Sequence, residues 1–359
     1  MRRIWGQTKA CCVLSASGFG DSLMATPLVE GIKRCNPDIR LVVASTDVFS
    51  EVFEGNPHVD ALLTYSLRPW DLISLARLVW RLRRERIDVF LAAQPANTIR
   101  HSLVAALSGA KVRLKHTYDY GSAFERDFSF VYHVRLSNSM KRHRVELNLD
   151  LLRFLGEEIP EGSISPYLKV GREAREKVEG WLLSVNGGQE ARDLVALHPG
   201  GVRQNKRWAA QGFSEVGRAM VNWGFSLCLV GGREERNLCR SIAEEIGAEG
   251  VLDAAGLFSL EETAALLKKC RCLVSNDTGI MHLAAAVETP VVALFGPTDF
   301  RHIGPFSMQR WVLQGSRDMK DISPIDVLEA VSAAAGMAVP GRSAPGQNSS
   351  RHRISHDSW

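Results

Sequence analysis

Several short segments hold the residue types that anion binding and proton transfer need, each placed where a strand-like run gives way to a helix-like one. The first is Ser17-Gly18-Phe19-Gly20-Asp21. Gly18 and Gly20 let a ligand or another backbone approach closely, and the helix amides beyond them can receive an anion. Asp21 stands at the mouth of that turn, where a carboxylate either accepts a proton from an attacking hydroxyl or caps the helix. The segment is not a dinucleotide fingerprint. Leu23 occupies the place of the third glycine in G-x-G-x-x-G, and no acidic residue closes the second strand over residues 43–45. A nicotinamide-dependent oxidoreductase is therefore disfavoured.

The second segment is His198-Pro199-Gly200-Gly201, followed by Lys206-Arg207-Trp208. A loop of this kind can wrap an anion, with Gly200 giving close approach and Lys206 neutralising charge on a phosphate. His198 reads as a satisfied histidine at a strand end. The third is Ser275-Asn276-Asp277-Thr278-Gly279-Ile280-Met281-His282. Amides at Thr278 and Gly279, the threonine hydroxyl and the positive end of the helix dipole would converge on one phosphate. A phosphate would repel Asp277, so its expected duty is to cap the helix. His282, one turn along, either reaches the same anion or packs against residues 284–286. Gly231-Gly232 leads into Glu234 and Glu235, which either accept bonds from ribose hydroxyls or are exposed first-turn glutamates. Gly296, in Phe295-Gly296-Pro297-Thr298-Asp299, ends the last strand with another ligand-permissive loop.

The elements that must position these loops alternate along the chain in the manner of parallel βαβ units. Strands are expected over 11–15, 40–44, 88–92, 194–197, 226–230, 272–275 and 291–295. Helices are expected over 23–35, 72–86, 213–223, 234–246 and from 278, and Ser259 with Glu262 forms a capping box for one that runs to 269. All the loops of the second half named above then lie at carboxyl ends of strands, where open parallel sheets bind ligands. The Gly- and Pro-containing stretch 156–188 holds the boundary between two doubly wound domains, residues 1–165 and 166–337. Residues 338–359, rich in Gly, Ser, Pro, Arg and His, are expected to be disordered.

With 359 residues, 45% hydrophobic and 23% charged, the chain is neither fibrous nor a disulfide-stapled miniature. Its net charge of +4 is too mild to argue for nucleic acid. That charge lies in residues 1–168, with 22 basic and 18 acidic side chains, against 22 and 22 in the remainder. An anionic partner should face the first half. Lys141, Arg142, His143 and Arg144 could meet phosphate groups. Arg77, Arg81, Arg83, Arg84 and Arg86 could meet an anionic membrane, or both sets are solvated charged faces. No apolar stretch approaches the roughly 18 to 20 residues that span a bilayer, which points to the cytoplasm, with any peripheral membrane contact left to the arginines just named. The seven cysteines lack metal-ligand spacing and read as reduced packing residues, and no metal site is expected.

In combination these elements resemble glycosyltransferase family 9, the ADP-heptose:lipopolysaccharide heptosyltransferases, over most of residues 10–336. The resemblance rests on Ser17-Gly18-Phe19-Gly20-Asp21 with Ala25-Thr26-Pro27-Leu28, His198-Pro199-Gly200 with Lys206-Arg207-Trp208, Asn276-Asp277-Thr278-Gly279 with His282, and Leu294-Phe295-Gly296-Pro297-Thr298-Asp299. It implies a GT-B architecture: two Rossmann-like domains facing across a cleft, the first for the acceptor and the second for a nucleotide sugar. It further implies an inverting transfer with Asp21 as base. The ADP phosphates would be held by Lys206 and by Thr278, Gly279 and His282, the ribose by Glu234 or Glu235, and the adenine would lie near Phe258. The partners implied are an ADP-sugar donor and a lipopolysaccharide-core or related glycan acceptor, with no metal and no other cofactor. Other nucleotide sugars, or a nucleotide-sugar-binding protein without catalysis, are the alternatives.

Overall fold

The computed structural model describes residues 2–15, 17–66, 68, 71–96, 98–117, 128–137, 142–187, 193–247, 250–315 and 318–336. The expected tail 338–359 lies outside them. The chain divides into two compact units between Lys169 and Val170, where the sequence places the boundary at 165/166. The linker stays with the first unit for a few more residues because Leu168 is buried, the Tyr167 amide donates to Thr26 Oγ1 at 2.9 Å, and the Lys169 stem lies against Gly55.

Each unit is built on a six-stranded, wholly parallel sheet. In the first unit the strands are β1 (Ala10–Ser15), β2 (Arg40–Thr46), β3 (Ala61–Tyr65), β4 (Val89–Ala92), β5 (Val112–Thr117) and β6 (Val134–Ser137). In the second they are β7 (Leu194–His198), β8 (Ser226–Leu229), β9 (Val251–Asp253), β10 (Cys272–Asn276), β11 (Val291–Phe295) and β12 (Arg310–Gln314). The orders are β3-β2-β1-β4-β5-β6 and β12-β11-β10-β7-β8-β9. Counted from each unit's own first strand, both are the 3-2-1-4-5-6 order of a Rossmann fold. The central strands are apolar on both faces because helices cover both sides. Every residue of β1, β7, β10 and β11 is buried.

In this order the direction of winding reverses between the first and fourth strands, and the loops beyond them part to leave a crevice. In the first unit those are the loops after β1 and β4. In the second they are the loops after β7 and β10. The sequence motifs built on Asp21, on Gly200 and Lys206, and on Asp277 and Thr278 therefore fall at the two switch points.

The helix after β1 runs from Phe19 to Cys35, one turn earlier than the apolar pattern suggests, because its first turn is the glycine-containing motif itself. The helix after β8 begins at Arg236 behind a 3-10 turn, Arg233–Glu235. The Ser259–Glu262 capping box is present, and its helix spans Leu260–Leu267. All seven cysteines are free and six are buried, which pushes those thiols above their usual range. No helix among the described residues is long and apolar enough to cross a membrane.

Candidate active site

In the first unit, the N-cap of the helix Phe19–Cys35 is Gly18, and no side chain caps it. Asp21 is the third helical residue. Its position rules out the capping role that sequence alone allowed, because an N-cap carboxylate must precede the turn whose amides it accepts. Arg144 Nη1 donates to Asp21 Oδ1 instead. That guanidinium comes from the first residue of the helix Arg144–Leu155, and both side chains are mostly shielded from solvent. A Cβ at position 18 would lie 2.9 Å from Asp21 Oδ2, so glycine there keeps the second carboxylate oxygen uncovered. Ser17 Oγ donates to the carbonyl of Pro95 beyond β4, tying the two loops of the switch point together. Asn148 braces the same corner: its Oδ1 accepts from Gln94 N at 2.8 Å and its Nδ2 donates to Met24 O at 3.0 Å.

Arg142, His143 and Arg144 do not form the phosphate-facing patch considered above, and Lys141 lies outside the described residues. Arg142 is engaged by Asp150, Glu161 and Glu146. His143 caps the helix Arg144–Leu155, its Nδ1 accepting from Val145 N at 3.1 Å. Arg144 serves Asp21.

In the second unit, the buried Asn276 and His198 and the half-buried Glu235 assemble the switch point. Asn276, fully buried at the end of β10, donates from Nδ2 to Pro199 O at 2.9 Å and Gly200 O at 3.0 Å, and its Oδ1 accepts from Trp208 N at 3.0 Å. Glu235 reaches across from the turn after β8. Its Oε1 accepts from Gly201 N at 2.8 Å and its Oε2 from Gly232 N at 2.8 Å. A Cβ at Gly200 would sit 1.7 Å from Glu235 Oε1, so the carboxylate passes through space that only glycine leaves open. His198 Nδ1 donates to Val230 O at 2.9 Å and lies 3.9 Å from Glu235 Oε2. Burial pushes this imidazole down, while Glu235 and the Val230 carbonyl pull it part of the way back.

Lys206 closes the 3-10 turn Gln204–Lys206, and its Nζ donates to Asp277 Oδ2. Asp277 therefore does not cap the following helix. That position belongs to Thr278, whose side chain makes no cap bond, and the helix spans Gly279–Ala286. The ammonium is thus pinned beside a helix amino terminus whose first amides no side chain covers, an arrangement suited to a phosphate. Thr278 Oγ1 is 3.4 Å from Ser275 Oγ, and His282 is buried in the helix's first turns. Gly296 packs closely on Met319, with Asn205 O nearby.

A family model described as "Glycosyltransferase family 9 (heptosyltransferase)" matches residues 75–329. The chain belongs to glycosyltransferase family 9. It is 26% identical over 351 residues to the lipopolysaccharide heptosyltransferase 3 of Escherichia coli, covering 90% of this chain and 98% of that one. To the lipooligosaccharide heptosyltransferase 2 of Haemophilus ducreyi it is 22% identical over 313 residues, 84% and 87% of the two chains. Among solved structures, the family 9 transferase of Veillonella parvula superposes with a TM-score of 0.80 at 21% identity, covering 91% of this chain and 97% of that one. The E. coli heptosyltransferase WaaC with ADP gives 0.70 at 20% identity, covering 90% and 99%. These neighbours share the GT-B fold, and the protein is a glycosyltransferase.

Against that family, the roles implied for Glu234, Glu235 and Phe258 divide. Glu235 is already committed on both oxygens to loop amides, whereas Glu234 is exposed. The Phe258 ring packs edge-on against Trp181, centroids 5.1 Å apart. Sequence reasoning named Arg144, Asn276 and Glu235 but missed their roles as the partner of Asp21, the brace of the Pro199-Gly200 loop and the clamp on Gly201 and Gly232. Among the described residues no cluster of three or more His, Cys, Asp or Glu could hold a metal.

Proposed function

We propose that this chain transfers a heptose from ADP-heptose to a hydroxyl of a lipopolysaccharide-core acceptor, with inversion at the anomeric carbon. The first domain takes the acceptor and the second the donor. The observation that carries the reading is Asp21: a carboxylate free of capping duty, oriented through one oxygen by Arg144 and left open at the other by Gly18. The named relatives, matched over most of both chains, support the sugar and the acceptor class.

In the transfer, Asp21 accepts the proton of the acceptor hydroxyl as that oxygen bonds to the anomeric carbon. The bond from that carbon to the β-phosphate oxygen breaks, its electron pair leaves with ADP, and attack from the opposite face inverts the centre. The transition state resembles an oxocarbenium ion. Lys206 and the amides of Thr278 and Gly279 stabilise the growing phosphate charge, with Asp277 holding the ammonium until the donor arrives. His282 lies beside the same anion and Glu234 takes the ribose. Because this positive charge comes from the chain itself, the transfer is proposed to proceed without a metal.

Isothermal calorimetry of ADP, UDP and NAD against the wild type and Lys206→Ala tests the donor site. ADP should bind best and the substitution should weaken it by about 10- to 100-fold, the contribution of a charge-assisted contact to phosphate. Preference for UDP or NAD, or an unaffected Lys206→Ala, would overturn it.

A further inference from the structure

The helix Leu72–Arg84 crosses one face of the first sheet and buries Leu78 and Leu82 against it. Its outward side is not polar. Leu72 is 67% exposed, Ile73 73% and Trp80 57%. Ile73, Arg77, Trp80 and Arg84 fall at i, i+4, i+7 and i+11, the spacing of one helical stripe, so apolar and cationic side chains share the face turned to solvent. The Arg84 guanidinium lies 4.7 Å from the Trp80 ring centroid. Beside this helix packs another, Ile99–Leu107, joined to it by Arg83 Nε donating to Leu107 O at 2.9 Å. It exposes Ile99, Leu103 and Leu107 at four-residue spacing, a second apolar stripe.

The charge on this surface has one sign. Arg77, Arg81, Arg83, Arg84 and Arg86 are all exposed, and the single acid among residues 77–86, Glu85, is held by Arg40 at 2.5 Å. A solvated charged face carries no run of exposed leucine, isoleucine and tryptophan. A protein-binding groove does not need five arginines. An amphipathic helix with arginines flanking a tryptophan matches the boundary between anionic headgroups and acyl chains. At 13 residues the helix is about 20 Å long, too short to span a bilayer and long enough to lie along one. Leu72 and Ile73 follow the carboxyl end of β3 and Ile99 follows that of β4, the same end of the sheet as Asp21.

We infer that the helices Leu72–Arg84 and Ile99–Leu107 form a docking surface for an anionic phospholipid bilayer, with Ile73 and Trp80 entering the interface and Arg77, Arg81 and Arg84 meeting headgroup phosphates. This goes beyond the transfer reaction and stands or falls apart from it.

The test is co-sedimentation of the full chain with vesicles of phosphatidylethanolamine and phosphatidylglycerol, and with pure phosphatidylcholine vesicles. Binding should require the anionic lipid and fall between low and high salt. Each arginine near an anionic surface multiplies binding roughly fivefold. Arg77→Gln/Arg81→Gln/Arg84→Gln should therefore lose about 100-fold, and Ile73→Ser/Trp80→Ser should lose binding at any salt, with unchanged melting temperatures for both. Transfer to a short soluble acceptor should be unaffected. Wild-type protein that ignores anionic vesicles, or variants that bind them as the wild type does, would overturn the inference. So would binding to a soluble phosphorylated sugar in place of the vesicles, or a dimer dispersed by the Ile73/Trp80 change, which would assign the face to a glycan or to a second copy.

Discussion

Gly200→Ala probes the second-domain switch point in a way that gives a sharp expectation. The new methyl would stand 1.7 Å from Glu235 Oε1 and 2.2 Å from its Cδ, so the whole carboxylate must leave. Its departure breaks two charge-assisted bonds, to Gly201 N and Gly232 N. Such bonds contribute about 1.5–3 kcal/mol each. The Gly232 amide is only half-buried and regains water, so the lower end applies and the pair amounts to about 3 kcal/mol. For a unit of this size that corresponds to a fall of about 6–12 °C in the second unit's melting transition. Glu235→Ala should lose the same amount, since it removes the same bonds without a clash. The double variant should then fall no further than either single one, because the two changes act on one interaction. Differential scanning calorimetry of the four proteins checks this. Losses that add in the double variant, or a neutral Gly200→Ala, would refute the clamp.

Other expectations follow from the same contacts. Asn276→Ala should destabilise the second unit by about 2–4 kcal/mol in a thermal melt, since it strands Pro199 O, Gly200 O and Trp208 N in a buried setting. Arg144→Met should lower turnover at least tenfold while leaving ADP affinity unchanged in calorimetry, because Arg144 belongs to the first unit and orients the proposed base. His101 is buried and pushed down to about 4, by burial first and then by Lys115 and Arg100. The unfolded chain therefore binds more protons between pH 6.5 and about 4, and stability falls as pH drops through that window by about 3 kcal/mol from this group. His101→Phe should flatten that part of the stability curve measured by denaturant titration.

The sequence carries the central strands plainly, since ACCVLS of β1 and VVALF of β11 are continuous apolar runs that only a sheet covered on both faces can bury. The outer strands on one side of the first sheet were hidden: VRLKHT of β5 and VRLS of the edge strand β6 carry charges and fit no simple alternation. Among site residues, Asp21, Lys206 and Thr278 are visible because loop chemistry is local. Their partners are not. Arg144 meets Asp21 across 123 residues, Glu235 meets Gly201 across 34, and Asn276 meets Gly200 across 76. Only the fold brings those groups together, which is why a glutamate resembling a ribose ligand is in fact a loop clamp, and an arginine resembling a phosphate ligand is the partner of Asp21.

The most direct test of the account is ADP release from ADP-heptose with a heptose-deficient lipopolysaccharide core, by the wild type and by Asp21→Asn, in the presence of a chelator. The account predicts wild-type turnover that the chelator leaves unchanged, and an Asp21→Asn enzyme at least 100-fold slower that still binds ADP as tightly. Full activity in Asp21→Asn, or no turnover of ADP-heptose by the wild type, would contradict it.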